Sequence, residues 1–129
     1  MKRVTGIGGI FIKPRSASQA DMLEFYRDRL GIELQWDNGI SFDWSNDMQG
    51  RDGQTIWSVF SKDSDYFEPG SASFMVNYRV ADLDALMLEL EKEGVKIDPK
   101  RDNSEYGKFA WVYDPDGNKL ELWEPPSTD

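Results

Sequence analysis

The chain has 129 residues and a formal net charge of −9, with 39% hydrophobic and 30% charged positions and neither cysteine nor histidine. That length fits one domain, which buries roughly two-thirds of its unfolded surface on folding. An acidic excess with no basic stripe argues against nucleic-acid and anionic-membrane partners, and the two missing residue types remove disulfides, thiolate chemistry, the usual metal ligand and the usual acid/base group.

Met1-Lys2-Arg3 before an apolar run imitates a signal peptide, but Lys13 and Arg15 cut the run short and Gly6, Gly8 and Gly9 weaken it. Residues 4–14 therefore read as a first strand, with Ile10 and Ile12 on one face and Gly9, Phe11 and Lys13 on the other. No apolar run reaches membrane-spanning length, so a cytoplasmic location is expected. Ser16-Ala17-Ser18-Gln19 offers a capping-box pattern, and Met22, Phe25, Tyr26, Arg29 and Leu30 recur at helical spacing until Gly31 closes the helix. Residues 33–37 and 40–44 flank Asn38-Gly39, a type I′ hairpin signal. Residues 55–61, after Asp52-Gly53, form the next predicted strand.

A polar connector over residues 64–70 ends in Pro69-Gly70, and then the order begins again. A strand over residues 73–80 leads to a helix opened by Asp82, with Leu83, Leu86, Met87 and Leu90 on one face and Gly94 at its end. Strands over 95–97 and 108–113 follow. Asp114-Pro115-Asp116-Gly117 then makes a tight turn into a last strand, where Leu120 and Leu122 alternate with Glu121 and Trp123. Asp52-Gly53 to Trp57 lies opposite Asp116-Gly117 to Glu121, and Leu30-Gly31-Ile32 opposite Glu93-Gly94-Val95, so the chain reads as two tandem βαβββ modules, 4–63 and 72–125. The fold class is α+β: paired modules enclosing a trough between curved sheets, helices outside, in a single domain spanning 1–129.

Alternation assigns Ile10, Ile12, Val76, Tyr78 and Val80 to the helix-covered face. The trough then receives Phe11, Lys13, Met75, Asn77 and Arg79, joined by Trp57 and Glu121. Lys13 and Arg79 hold equivalent positions in the two modules, which suggests a pair of cations facing an anionic group across the trough. Phe11, Trp57, Phe109, Trp111, Trp123, Tyr66 and Phe67 are candidates to stack on a flat apolar ligand, with core packing or a subunit interface as the plainer use of each. Phe25, Tyr26, Leu83 and Leu86 are assigned to the core. Glu121 is either a weak candidate for a general base, its pKa raised by burial, or a carboxylate satisfied by Arg79 or Lys13.

The duplicated order, Phe25-Tyr26 before Leu30-Gly31, the segment Tyr78-Arg79-Val80-Ala81-Asp82-Leu83 and the run DPDGNKLELWEP over 114–125 resemble the glyoxalase/bleomycin-resistance/extradiol-dioxygenase family, the vicinal oxygen chelate superfamily. The resemblance covers nearly the whole chain and implies the trough fold, which hosts isomerases, dioxygenases, thiol transferases and drug-sequestering proteins. It also implies four strand positions that hold a divalent ion in the metal-dependent members. These fall on Gly9 (or Ile7, with the register shifted by two), Trp57, Met75 and Glu121, and only Glu121 is a suitable ligand. The expectation is a protein without the family's metal or any cofactor, which binds a small aromatic or anionic molecule, with a homodimer plausible from the resemblance. A lyase, isomerase or dioxygenase using Glu121 is the alternative, and a protein-interaction module whose own aromatics fill the trough is the third reading.

Overall fold

The structure, a computed structural model, describes residues 3–48 and 50–127. Met1 and Lys2, the charged start of the signal-like run, lie outside the described residues. Among the described residues no helix is long and apolar enough to cross a membrane. The elements in chain order are β1 (Val4–Ile12), α1 (Gln19–Leu30), β2 (Gly39–Trp44), β3 (Gly53–Val59), β4 (Phe74–Val80), α2 (Leu83–Lys92), β5 (Lys96–Ser104), β6 (Gly107–Tyr113) and β7 (Lys119–Glu124). The strands form one 7-stranded sheet in the order β2-β3-β1-β4-β7-β6-β5. Internal symmetry is visible in the pairing: β1 runs parallel to β3 as β4 does to β7, and the halves join through antiparallel β1 and β4.

The helices end where their caps dictate. Ser18 is the N-cap of α1, its Oγ accepting from Asp21 N at 3.0 Å, so the cap sits two residues beyond the start of the Ser16–Gln19 pattern. Gly31 at φ 72° and Gly94 at φ 77° end α1 and α2 in the left-handed conformation that glycine adopts without cost. Asp82 caps α2 by accepting from Ala85 N at 3.1 Å. Asp114 organises the β6–β7 turn, its carboxylate accepting from the backbone of Asp116 and Asn118 while Gly117 takes φ 84°. Those bonds, led by the Asn118 side chain, hold the Asp114 carboxyl below the usual carboxylate range.

Four expectations are corrected. Residues 33–37 form no strand; they contribute only an isolated bridge between Trp36 and Gly39, so module one supplies three strands where module two supplies four. Neither Asn38 nor Gly39 has the positive φ of a type I′ turn. Asn38 instead bonds the end of β3 twice, donating from Nδ2 to Val59 O and accepting from Val59 N. Phe25 is 52% exposed and Leu30 61%, and α1 buries no residue completely. Its inward stripe is Met22, Leu23 and Tyr26, and Phe25 lies about 100° round the helix from Tyr26. β5 is also longer than residues 95–97, because a bulge between Ile97 and Arg101 takes up Pro99 on the sheet edge, where a missing N–H is tolerated.

The α2 side holds the denser core. Leu83, Leu86 and Met87 bury against Val80, Ala110, Val112 and Leu122. Leu86→Ala is expected to lose about 3 kcal/mol in urea unfolding through lost transfer energy and the cavity left behind. A loss within about 0.5 kcal/mol would mean that α2 is not packed as described.

Candidate functional site

The two faces of the sheet carry different chemistry. Ile10, Ile12, Trp57 and Val59 meet α1 on one face, while Phe11, Met75, Trp111, Ile56 and Phe109 share the other, the concave trough. Glu121 lies at the trough's floor, 2% exposed, and protein donors occupy its oxygens. Asn77 Nδ2 donates to Oε1 at 2.6 Å, Trp111 Nε1 donates to Oε2 at 3.0 Å, and the Tyr66 hydroxyl donates to the same Oε2. Burial pushes the Glu121 carboxyl above the usual carboxylate range even though all these donors favour its charged form. Tyr66 is raised in turn, first by burial and then by the Glu121 charge.

Part of the trough is closed by the chain itself. Phe60, Tyr66 and Phe67 pack on Phe11, Met75 and Trp111, and Lys119 ties this segment down by donating from Nζ to Tyr66 O at 2.7 Å and Glu68 O at 3.1 Å. The Lys119 ammonium also lies 5.4 Å from the Tyr66 ring centroid. What remains open is a cavity of about 680 Å³ bordered by Phe11, Ile56, Asn77, Phe109, Glu121 and Trp123, with Trp36 and Tyr106 also on its wall. Phe109 and Trp123 are stacked within 6° of parallel, ring centroids 6.1 Å apart.

Three of the residues assigned to the trough, Trp57, Lys13 and Arg79, lie elsewhere. Trp57 faces α1, its ring 4.9 Å from that of Tyr26. The pairings Gly9 with Ile56 and Asn77 with Glu121 show why: Ile56 is the counterpart of Glu121, and a slip of one residue in matching the modules turns a side chain to the opposite face. Lys13 borders a separate cavity with Arg15 and Lys62, and it cannot face Arg79. β1 and β4 are antiparallel, so Lys13, bonded through its N–H to Ser73 O, and Arg79, paired with Gly6, stand at opposite ends of the strand pair. Neither cation satisfies Glu121, whose partners are Tyr66, Asn77 and Trp111. Trp36, Gln54, Ile56 and Tyr106 were not anticipated at the cavity; the register of β3 against β1 places Ile56 and, by alternation along the strand, Gln54, and no local pattern marks Trp36 or Tyr106.

Arg79 occupies a second hollow. Its guanidinium carbon lies 5.6 Å from the centroid of the Trp44 ring and 5.3 Å from that of Trp123, and the residue is 4% exposed. Among the described residues both polar contacts of its side chain run through Nη2 and are long, 3.5 Å to Asp52 O and 3.7 Å to Asp47 Oδ2, while its buried Nε has no hydrogen-bond partner. Burial pulls this guanidinium below its usual range, with Asp47 acting in the other direction.

As for metal ions, the described residues contain no group of three or more His, Cys, Asp or Glu side chains able to hold one. The positions around Glu121 offer Gly9, Ile56, Met75 and Asn77, a donor set that does not suit a hard divalent cation.

A continuous sheet built from two related halves, helices on its convex side and a trough with a floor carboxylate, defines the class. The model of the Glyoxalase/Bleomycin resistance protein/Dioxygenase superfamily matches residues 15–122, and the chain belongs to that superfamily. It is 26% identical over 110 residues to the uncharacterized protein YraH of Bacillus subtilis (strain 168), covering 79% of this chain and 86% of that protein. The fold is similar to that of methylmalonyl-CoA epimerase from Mycobacterium tuberculosis, with TM-score 0.57, 19% identity and 98% of this chain matched to 92% of that one. A glyoxalase/bleomycin resistance protein/dioxygenase superfamily member from Vibrio splendidus 12B01 is similar at TM-score 0.61 and 13% identity, over 93% of this chain and 98% of that one.

Proposed function

We propose that the open part of the trough binds a small, flat, uncharged aromatic molecule and that the protein does so without a metal ion or other cofactor. The observation that carries this reading is the cavity's wall: among the described residues it has aromatic faces from Phe11, Trp36, Tyr106, Phe109 and Trp123, no lysine or arginine, and one carboxylate whose oxygens already have donors. Volume and lining suit a ligand of one or two fused rings, since such pockets are mostly apolar with a few polar groups that fix orientation. The absence of a lining cation turns the choice between an aromatic and an anionic ligand toward the aromatic one. Lyase, isomerase or dioxygenase chemistry at Glu121 would first require its hydrogen bonds to Tyr66, Asn77 and Trp111 to open, which favours binding over reaction.

The test is a titration with 2-naphthol followed by tryptophan fluorescence. Saturable quenching is expected, and Phe109→Ala should weaken binding about tenfold through lost stacking and buried area. A well-folded protein that gives no saturable signal with 2-naphthol would sink the reading.

A further inference from the structure

The Arg79 hollow is a cavity of about 1230 Å³, distinct from the trough but sharing Trp123 and Gln54 with it. A guanidinium that is 4% exposed ordinarily has its five N–H groups matched by carboxylates or carbonyls at close range, because an unmatched buried charge is costly. Arg79 is not so matched. Among the described residues its side-chain polar contacts, at 3.5 and 3.7 Å, exceed normal charge-assisted distances, and Nε is left without a partner. The group is nevertheless held in place, because the indoles of Trp44 and Trp123 lie 5.6 and 5.3 Å from the guanidinium carbon and clamp the planar group without meeting its donors. A fork of donors fixed in orientation, under-used and bordering a cavity is an arrangement that recognises a planar oxyanion.

The remaining walls limit which anion can enter. Arg51, whose guanidinium is bridged to Asp47 at 3.4 Å, adds a second, already paired cation, whereas Asp43, Asp52 and Glu124 add carboxylates. Glu124 accepts from Leu83 N and Asp43 from the Ser41 hydroxyl, and the charge that both carboxylates keep repels a multiply charged guest. Trp44, Trp123, Pro125 and Pro126 offer apolar surface beside the charge. We propose that this cavity is a binding site for small flat monocarboxylates, with Arg79 taking the carboxylate and the tryptophans flanking the body of the ligand. The site stands apart from the aromatic pocket of the trough and does not require that pocket to be occupied.

Benzoate, inorganic phosphate and 2-naphthol separate the possibilities. In ¹⁵N-labelled wild-type protein the side-chain Nε–H resonance of Arg79 is expected to shift saturably with benzoate and to stay in place with phosphate. Calorimetry should show benzoate binding at least tenfold weaker in Arg79→Lys, which keeps the charge but loses the fork, with 2-naphthol binding in the trough unchanged. The resonance shift is read on the wild-type chain, so the test survives if that variant fails to fold. Benzoate binding that leaves the Arg79 resonance unmoved and is competed by 2-naphthol would place the anion in the trough and overturn the proposal while leaving the trough reading intact. No saturable benzoate signal, or equal responses to benzoate and phosphate, would overturn it as well.

Discussion

Gly8→Ala is expected to destabilise the protein by about 2–3 kcal/mol, although it adds a single methyl group to a strand. A Cβ at position 8 would lie 2.2 Å from Asn77 Oδ1, 2.8 Å from Trp123 Cε3 and 3.1 Å from Arg79 Cγ. None of these neighbours can yield freely: Asn77 is tied to Glu121, Trp123 donates from Nε1 to Tyr106 O, and Arg79 is clamped between indoles. The strand cannot yield either, since β1 is hydrogen-bonded on both sides, to β3 and β4. Gly8 is the residue skipped in the register between Ile7 paired with Tyr78 and Gly9 paired with Asn77, so it sits in a bulge that aims it at the trough. Urea unfolding should show a lower midpoint with the slope unchanged. Rotation of Asn77 away from the added methyl would also remove a donor from Glu121, so 2-naphthol binding should weaken in the same variant. A loss under about 0.5 kcal/mol with unaltered binding would show that the three groups are not packed on Gly8 as described.

Much of this arrangement is legible in the sequence because it rests on local rules. Helical spacing with Gly31 and Gly94 as stops, the Asp114–Gly117 turn and strand alternation depend on neighbours within a few residues, and these same rules put Glu121, Met75, Asn77 and Phe109 on one face. What was not legible depends on pairing at long range. The modules can be matched at two offsets that differ by one residue, and only the hydrogen-bonded register of β1 with β3 selects Ile56 over Trp57 for the trough. Likewise, equivalent positions in the two modules suggested that Lys13 and Arg79 meet, whereas the antiparallel joint sends them apart. The pairing of Tyr66 with Glu121 joins residues 55 positions apart, across a connector that reads as a polar loop. Asn38 shows the opposite failure: a strong local turn signal was overridden because its amide and backbone both bond the end of β3.

Glu121 gives the second large effect, and two substitutions separate its roles. Glu121→Ala removes the shared acceptor of Tyr66, Asn77 and Trp111 and leaves buried donors facing a cavity, so a loss of about 2–4 kcal/mol is expected. Glu121→Gln keeps the shape. The Tyr66 hydroxyl can rotate, and Asn77 can turn its amide over to present Oδ1, which has no partner among the described residues, to the new NH₂ group. Its effect should therefore appear in pH dependence rather than in size. The native carboxyl is raised above its usual range, so the folded state holds a proton that the unfolded state, with an ordinary value of about 4.3, has already released. The stabilisation from that proton is fully present below the unfolded value and is lost as pH rises through the folded one. Wild-type stability should thus fall relative to Glu121→Gln as pH is raised above about 4.3, because the variant has no proton to lose at this position. Urea midpoints of both proteins between pH 4 and pH 8 provide the comparison. Parallel profiles would mean that hydrogen bonding to Tyr66, Asn77 and Trp111 cancels the cost of burial, and that Glu121 is charged in the fold throughout that range.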